Sequence, residues 1–282
     1  MNLRSIRILL LFSMAVLCNV LLLGHIAERV LQINCFSYET AWRNLRDHQI
    51  PFEILDDFFE ESENTSQFAE LLTMYFAADG AVSDVNILRD DIAFVKKYKK
   101  EDFEKIYRYV YAAWNDLEQF PVGKIASLPD AGVSFADSWM QSRTFGGDRG
   151  HEGCDIMASV NERGIYPIYS MTGGTIENIG WLRLGGYRIG VRSDSGAYFY
   201  YAHLAEYARE FELGERVEAG TFLGFMGDTG YSDTPGTTGM FDVHLHLGIY
   251  LNDENGSEFS INSYPMVQYL YEKSEWNGQR AS

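Results

Sequence analysis

The sequence is poor in cysteine and in positive charge. Three cysteines in 282 residues, Cys18, Cys35 and Cys154, are too few for a disulfide scaffold. Lys and Arg number 23 against 40 Asp and Glu, a net charge of −17. So acidic a chain lacks the basic footprint that general nucleic-acid binding needs. Internal repeats and low-complexity tracts are absent, and the composition excludes collagen, coiled-coil and mucin-like chains. Glycine is scarce at first. Only Gly24, Gly80, Gly123 and Gly132 precede residue 146, and the other 22 of 26 begin with Gly146. That shift marks a change of architecture, because glycine-rich segments with aromatics read as turn-dense β structure.

Apolar residues are plentiful. They make up 46% of the chain and aromatics 15%, enough for a packed core and too many for a disordered chain. The length allows one large domain or two modest ones. Ile8 to Gly24 is an uncharged run of 17 residues, at the lower end of what crosses a bilayer. Arg4 and Arg7 precede it and favour the N-terminus inside, the remainder outside. No small-x-small cleavage site follows, and Ala-Val-Leu before Cys18 is a poor lipoprotein context. The reading is a cytoplasmic stub over 1–7, an uncleaved transmembrane anchor over 8–26 in the cytoplasmic membrane, and everything beyond it extracytoplasmic. Secretion after signal cleavage is the alternative. In that compartment Cys35 and Cys154 could pair, which spacing alone does not show.

Residues 27–122 read as a helical region. Phe68, Leu71, Leu72, Tyr75 and Phe76 recur at helical spacing, and so do Phe103, Ile106, Tyr107, Val110, Tyr111, Trp114 and Leu117. Pro121 and Gly123 end the second run. These stripes are most simply core. His48 stands alone and reads as structural. Glu53 to Asp91 holds eleven carboxylates against one basic residue, Arg89. That is a solvated face in the first instance; a docking surface for a protein partner is the sharper alternative, with no residue pattern behind it.

Residues 123–275 read as mainly antiparallel β structure, with 276–282 as a tail. Tyr166–Met171, Thr175–Leu182, Tyr187–Ser193 and Ala197–His203 are rich in aromatic and β-branched residues. Gly173-Gly174, Gly185-Gly186 and Asp194-Ser195-Gly196 separate them, as in a meander.

Four of the six histidines fall in this part, within three short motifs: His151-Glu-Gly-Cys-Asp155, Tyr201-Ala-His203-Leu and His244-Leu-His246. From Phe241 to Tyr250 the odd positions are apolar and the even ones include Asp242, His244, His246 and Gly248. Such alternation predicts a strand with one face in the core and both imidazoles on the other. Gly248 beside them predicts room for a substrate chain. Gly150 and Gly153 place His151 and Asp155 in a loop or strand start, and Asp155 stands where a His-Glu-x-x-His helix would need its second histidine. Imidazole and carboxylate are both zinc ligands, and a catalytic zinc has three protein ligands and an open position. Any one motif is weak; the three together in this order are a strong constellation.

These motifs resemble the lysostaphin/LytM-type zinc metallopeptidases, which cut the peptide part of bacterial peptidoglycan. The resemblance covers roughly 125–272. Gly150-His151-x-Gly153-x-Asp155, Tyr201-Ala202-His203-Leu204, Gly224-x-x-Gly227-x-Thr229-Gly230 and His244-Leu245-His246 carry it, with the turn from Leu213-Gly214 to Gly220. It implies a compact antiparallel β sandwich-type fold with a narrow groove. It implies one Zn2+ held by His151, Asp155 and His246, with His203 and His244 as the catalytic pair. Cys154 departs from the family's usual aliphatic residue or threonine; on an extended segment its thiol points away from Asp155 into packing. Glu152 likewise points away from the metal. Tyr201 and Arg149 are candidates for the groove rim, with packing the first reading for the tyrosine and a solvated loop position the first reading for the arginine. The implied activity is hydrolysis of peptidoglycan crosslinks or stem peptides by a zinc-activated water. A silent scaffold or activator of another hydrolase, binding a protein partner through the helical region, is one alternative. A zinc peptidase acting on proteins is another. The loop 231–240 is the candidate determinant of which bond is cut.

Overall fold

A computed structural model describes residues 3–34, 36–274 and 276. Cys35 lies outside them, and with it the pairing with Cys154; Cys154 itself is a buried free thiol. Most of the 276–282 tail also lies outside.

The chain opens with α1 (Leu3–Asn34). Within it Ser5–Ala27 is long and apolar enough to cross a membrane and is wholly exposed. Its 23 residues rise about 34 Å, which exceeds the apolar run read from the sequence and matches a hydrocarbon core of about 30 Å. Asn19 is accommodated because its side-chain amide donates to the Ala15 carbonyl one turn back, at 2.8 Å.

Five helices follow: α2 (Tyr38–Asp47), α3 (Phe52–Glu60), α4 (Thr65–Ala77), α5 (Val85–Tyr98) and α6 (Lys100–Trp114). Ser37, Asn64 and Asp84 cap α2, α4 and α5 by accepting backbone N–H bonds of the first turn. The stripe from Phe68 to Phe76 is buried in α4, the central helix of the group. In α6 the stripe buries Phe103, Ile106, Val110 and Trp114, while Tyr107 and Tyr111 are half-buried. That helix stops at Trp114, earlier than Pro121 and Gly123 suggested, and Leu117 lies beyond it.

The strands are β1 (Val133–Ser134), β2 (Ser142–Arg143), β3 (Arg149–Gly150), β4 (Cys154–Ala158), β5 (Pro167–Tyr169), β6 (Gly174–Leu182), β7 (Gly186–Ser193), β8 (Tyr198–Tyr207), β9 (Arg216–Val217), β10 (Phe222–Met226), β11 (His244–Asn252) and β12 (Glu258–Ile261), before α7 (Tyr264–Lys273). Every pairing is antiparallel, as expected. Ten strands form one sheet in the order β1-β4-β11-β8-β7-β6-β9, with β10, β5 and β12 off this path. The meander β6-β7-β8 is present; β5 pairs with β10 rather than with β6. The layering is produced by β8, which pairs β7 and β11 and, through its last residues, β10. Hairpin β2-β3 stands apart.

The helices cover one face of this sheet. β11 presents Leu245, Leu247, Ile249 and Leu251 to the core, and the register sets Phe259 and Ile261 of β12 on the same face. Trp42 of α2 packs on Phe259, with ring centroids 4.7 Å apart. Phe59 of α3 stacks between Phe68 of α4 at 3.7 Å and Tyr269 of α7 at 4.3 Å. Asn262, fully buried, ties the β12 end to α2 by donating to the Asp47 carbonyl at 3.0 Å. One apolar core therefore runs through the helices and the sheet. The histidine-bearing face of β11 looks the other way.

His48 has the structural role read for it. Its Nδ1–H donates to the Leu45 carbonyl at 3.1 Å, and its Nε2 accepts from the Trp114 indole N–H at 2.9 Å. A proton on Nε2 would set two donors against each other, and burial lowers the pKa from 6.5 to about 4. The folded state thus binds that proton more weakly than the unfolded chain. Its contribution is intact above pH 6.5 and is lost as pH falls toward 4, by about 3 kcal/mol in all. Denaturant unfolding of the chain at pH 7 and pH 4.5 should show that loss, and His48→Asn should reduce the difference. An unchanged difference in the variant would clear His48 of the effect.

Candidate metal centre and groove

β4 and β11 pair with Asp155 opposite His246. Alternation puts Cys154 and Ile156 in the core and leaves Asp155 on the same face as His244 and His246. Cys154 is packed as expected, and burial pushes its thiol pKa up. His151 follows β3 and closes on this pair. Its Nε2 lies 3.0 Å from Asp155 Oδ1 and 3.0 Å from His246 Nδ1, and His246 Nδ1 lies 2.9 Å from the same Oδ1.

Three donor atoms therefore form a triangle with edges of 2.9–3.0 Å. Two imidazole nitrogens and one carboxylate oxygen suit zinc, and tetrahedral bonds of 2.0–2.1 Å would give edges of about 3.3 Å. The triangle is within a few tenths of an ångström of that. Second contacts orient each donor. Ser138 Oγ sits 2.8 Å from His151 Nδ1, leaving Nε2 to the centre. Arg143 Nη2 donates to Asp155 Oδ2 at 2.7 Å, so the carboxylate offers the imidazoles a single oxygen. Burial opposes ionisation of Asp155, but hydrogen bonds from His151 and His246 outweigh it and hold the pKa well below the carboxylate range. The His246 ring has space because residue 153 is glycine: a Cβ there would stand 2.7 Å from His246 Cε1 and 2.6 Å from the Leu247 carbonyl.

His203 reaches the same face by a different route. Simple alternation along β8 would bury it beside Phe199 and Tyr201. Instead β7 pairs Tyr187 with Leu204 and Ile189 with Tyr201, so Ala202 and His203 together oppose Arg188 in a bulge. His203 sits at φ 62, a left-handed conformation that a residue with a Cβ rarely adopts. Its Nδ1–H donates to the Thr229 carbonyl at 2.7 Å. His244 Nδ1–H donates likewise to the Asp242 carbonyl at 2.7 Å. Each ring thereby keeps an acceptor Nε2, and His244 Nε2 lies 3.8 Å from Asp155 Oδ1. The two rings are 4.7 Å apart. Burial, reinforced by His244 and His246, lowers the pKa of His203 well below 6.5 and keeps it neutral.

The five expected site residues thus converge on one groove of about 610 Å³. Its lining runs from Arg143 to Glu258 and includes no residue of the helices. Three expectations need correction. Phe241 is not on the core face of β11, because the strand begins at His244. Asn161 binds Val243 N and the Asp242 carboxylate and breaks the alternation. Phe241 instead packs 4.6 Å from His203 as groove wall. Gly248 does not leave open room either: a Cβ there would stand 2.6 Å from the Tyr250 ring, which fills the space. Likewise a Cβ at Gly190 would overlap the Tyr198 hydroxyl. The tyrosines so lie flat across glycines and pave the floor. Glu152 is exposed on the rim, Tyr201 is core, and Arg149 lines the groove rather than standing in solvent.

Sequence reasoning assigned no role to Ser138, Arg143, Thr229 or Arg188. Only Thr229 carried a signal, the Thr-Gly pair of the glycine-rich motif.

The profile of peptidase family M23 matches residues 149–258. Over 146 residues the chain is 40% identical to the L-Ala–D-Glu endopeptidase of Bacillus subtilis (strain 168), covering 50% of this chain and 43% of that protein. It is 30% identical over 109 residues to lysostaphin of Staphylococcus simulans, covering 38% of this chain and 19% of that one. The chain thus spans less than half the length of these curated relatives. The crystal structure of a lytM protein from Ruminococcus gnavus superposes with a TM-score of 0.70 and 37% identity, over 81% of this chain and 90% of that one. That coverage exceeds what the β-rich part alone could supply, so the likeness extends into the helices.

Gly153→Ala should displace the His246 ring and weaken zinc binding at least about tenfold, as loss of a supporting contact does. Competition with a chromophoric chelator measures this, with thermal unfolding as the control for a folded chain. Undiminished affinity would show that the ring has other room.

Proposed function

The chain belongs to peptidase family M23, and from that premise we propose that it is a membrane-anchored zinc endopeptidase hydrolysing peptide bonds of peptidoglycan crosslinks or stem peptides. The observation that carries this is the convergence of His151, Asp155, His246, His203 and His244 on one groove with their acceptor atoms inward. His151, Asp155 and His246 are the metal ligands. Zinc, when bound there, supplies Lewis acidity to the scissile carbonyl and to the attacking water.

The rest of the chemistry belongs to the side chains. His203 and His244 present Nε2 as acceptors toward the reacting atoms, since carbonyls hold their Nδ1 protons. One orients the attacking water and takes its proton. Once protonated, an imidazole donates to the developing oxyanion or to the leaving amine. The pinned rings cannot swing away, so the geometry is set before substrate arrives. Glu152, exposed on the rim, is not placed as the base. The helices pack behind the sheet and leave the groove uncovered, which supports cutting rather than a scaffold role. The apolar span over Ser5–Ala27 would hold the chain in the cytoplasmic membrane with the groove facing the wall.

Incubating purified peptidoglycan with the zinc-loaded full chain in detergent should release defined muropeptides. A chelator should abolish release, and His203→Ala should lower the rate by about 10²- to 10⁴-fold. Absence of release from several wall types by a zinc-loaded chain would refute the reading. Release of protein fragments instead, with casein as substrate, would replace it by a protein-directed peptidase.

A further inference from the structure

The groove continues past the metal centre across β8 and β7, and there its lining includes two arginines that each have an unpartnered side-chain nitrogen. Arg188 stands on β7 facing the Ala202–His203 bulge. Arg149 ends at the groove from β3, two residues before His151. Arg188 Nη1 and Arg149 Nε are buried without a hydrogen-bond partner, and among the described residues neither side chain forms an ion pair. The neighbouring arginines differ: Arg143 is bound to Asp155 at 2.7 Å and Arg192 to Glu177 at 2.7 Å. The carboxylates at this end do not answer the two either. Glu258 lies by Arg192, at 3.9 Å, and Glu152 is exposed on the rim.

Both cations act on one spot. Burial raises the pKa of the Tyr200 phenol, and Arg188 and Arg149 each pull against that rise. Tyr200 lies next to His246, with ring centroids 6.0 Å apart. β7 is two strands from β11, about 10 Å at the usual spacing. An extended peptide covers that distance in about three residues. Buried donors without partners are uncommon in folded proteins, and a planar guanidinium fork matches a carboxylate. The aromatic floor of Tyr198, Tyr200 and Tyr250 lowers the local dielectric beside the two arginines and strengthens such a contact.

We propose that Arg188, with Arg149 beside it, forms a carboxylate-binding subsite, so that the groove takes an anionic peptide bearing a free carboxylate within about three residues of the bond cut. The inference rests on the endopeptidase reading and narrows it: a stem peptide with an acidic residue carries such a group, and a bridge of glycines does not. Arg188 is a specificity residue in this arrangement and takes no part in proton transfer.

Calorimetry on the zinc-loaded full chain in detergent tests it, in a His244→Ala background so that turnover does not intervene. The probes are L-Ala–γ-D-Glu–L-Lys with an amidated C-terminus and the same peptide with its Glu α-carboxylate also converted to a carboxamide. The carboxylate should bind at least tenfold tighter. Arg188→Met should abolish that preference, and Arg188→Lys should restore part of it. Equal affinity for the two probes, no binding of either, or a preference that survives Arg188→Met would each overturn the subsite. Muropeptide release by the chain with His244 intact reports separately on hydrolysis, so release without a carboxylate preference would retire the subsite alone.

Discussion

Asp155 is a buried carboxylate with its two oxygens divided between two tasks. One is held by the Arg143 guanidinium at 2.7 Å; the other meets two imidazoles at 2.9 and 3.0 Å. An ionised carboxylate removed from water is costly unless it is fully paired. Here the pairing is what assembles the centre. The hairpin β2-β3 supplies Arg143, the segment after β3 supplies His151, and β11 supplies His246. Two of these pieces lie just ahead of Asp155 in the chain and the third lies 91 residues beyond it, and all are pulled to one side chain. The register of β4 against β11 then follows as a requirement, because a slip by one residue would turn Asp155 into the core and Cys154 into the groove.

Sequence patterns revealed the parts of this arrangement that obey a period. The strands β6, β7 and β8, the core face of β11 and the stripes of α4 and α6 were all visible as alternation or helical spacing. The five polar residues at the centre were visible as motifs. What escaped was aperiodic. His203 lies on a bulge that reverses the alternation, so its motif announced it while its strand pattern would have buried it. Phe241 continues an apolar alternation beyond the end of the strand that alternation implied. Arg143 and Arg188 are unremarkable arginines in sequence, and only the fold brings one to a carboxylate and the other to an enclosed groove. α6 ends early, at Trp114, whose ring packs against His48 and Phe59.

The helical layer is best understood through the face it takes. β11 and β12 present a continuous apolar surface that water would otherwise meet, and Trp42 and Tyr109 close it over Phe259. That cover leaves the opposite face free for a long substrate. A strand with one face spent on structure and the other on chemistry is under two independent constraints, and β11 meets both because its side chains alternate. Most carboxylates of the helical part then remain on its outer surface, where solvent screens them, while the partly buried Asp56 and Glu70 pair with Lys273 and Lys96.

The floor of the groove shows a further economy. Tyr198 and Tyr250 lie down only because Gly190 and Gly248 offer nothing to hold them up. The depth of the channel is therefore recorded at positions without side chains, and the visible residues merely settle to the level those positions allow. A lineage could deepen or block the channel by exchanging a single glycine, with every residue that touches the reacting bond unaltered. Selectivity on this fold can drift while the chemistry stands still.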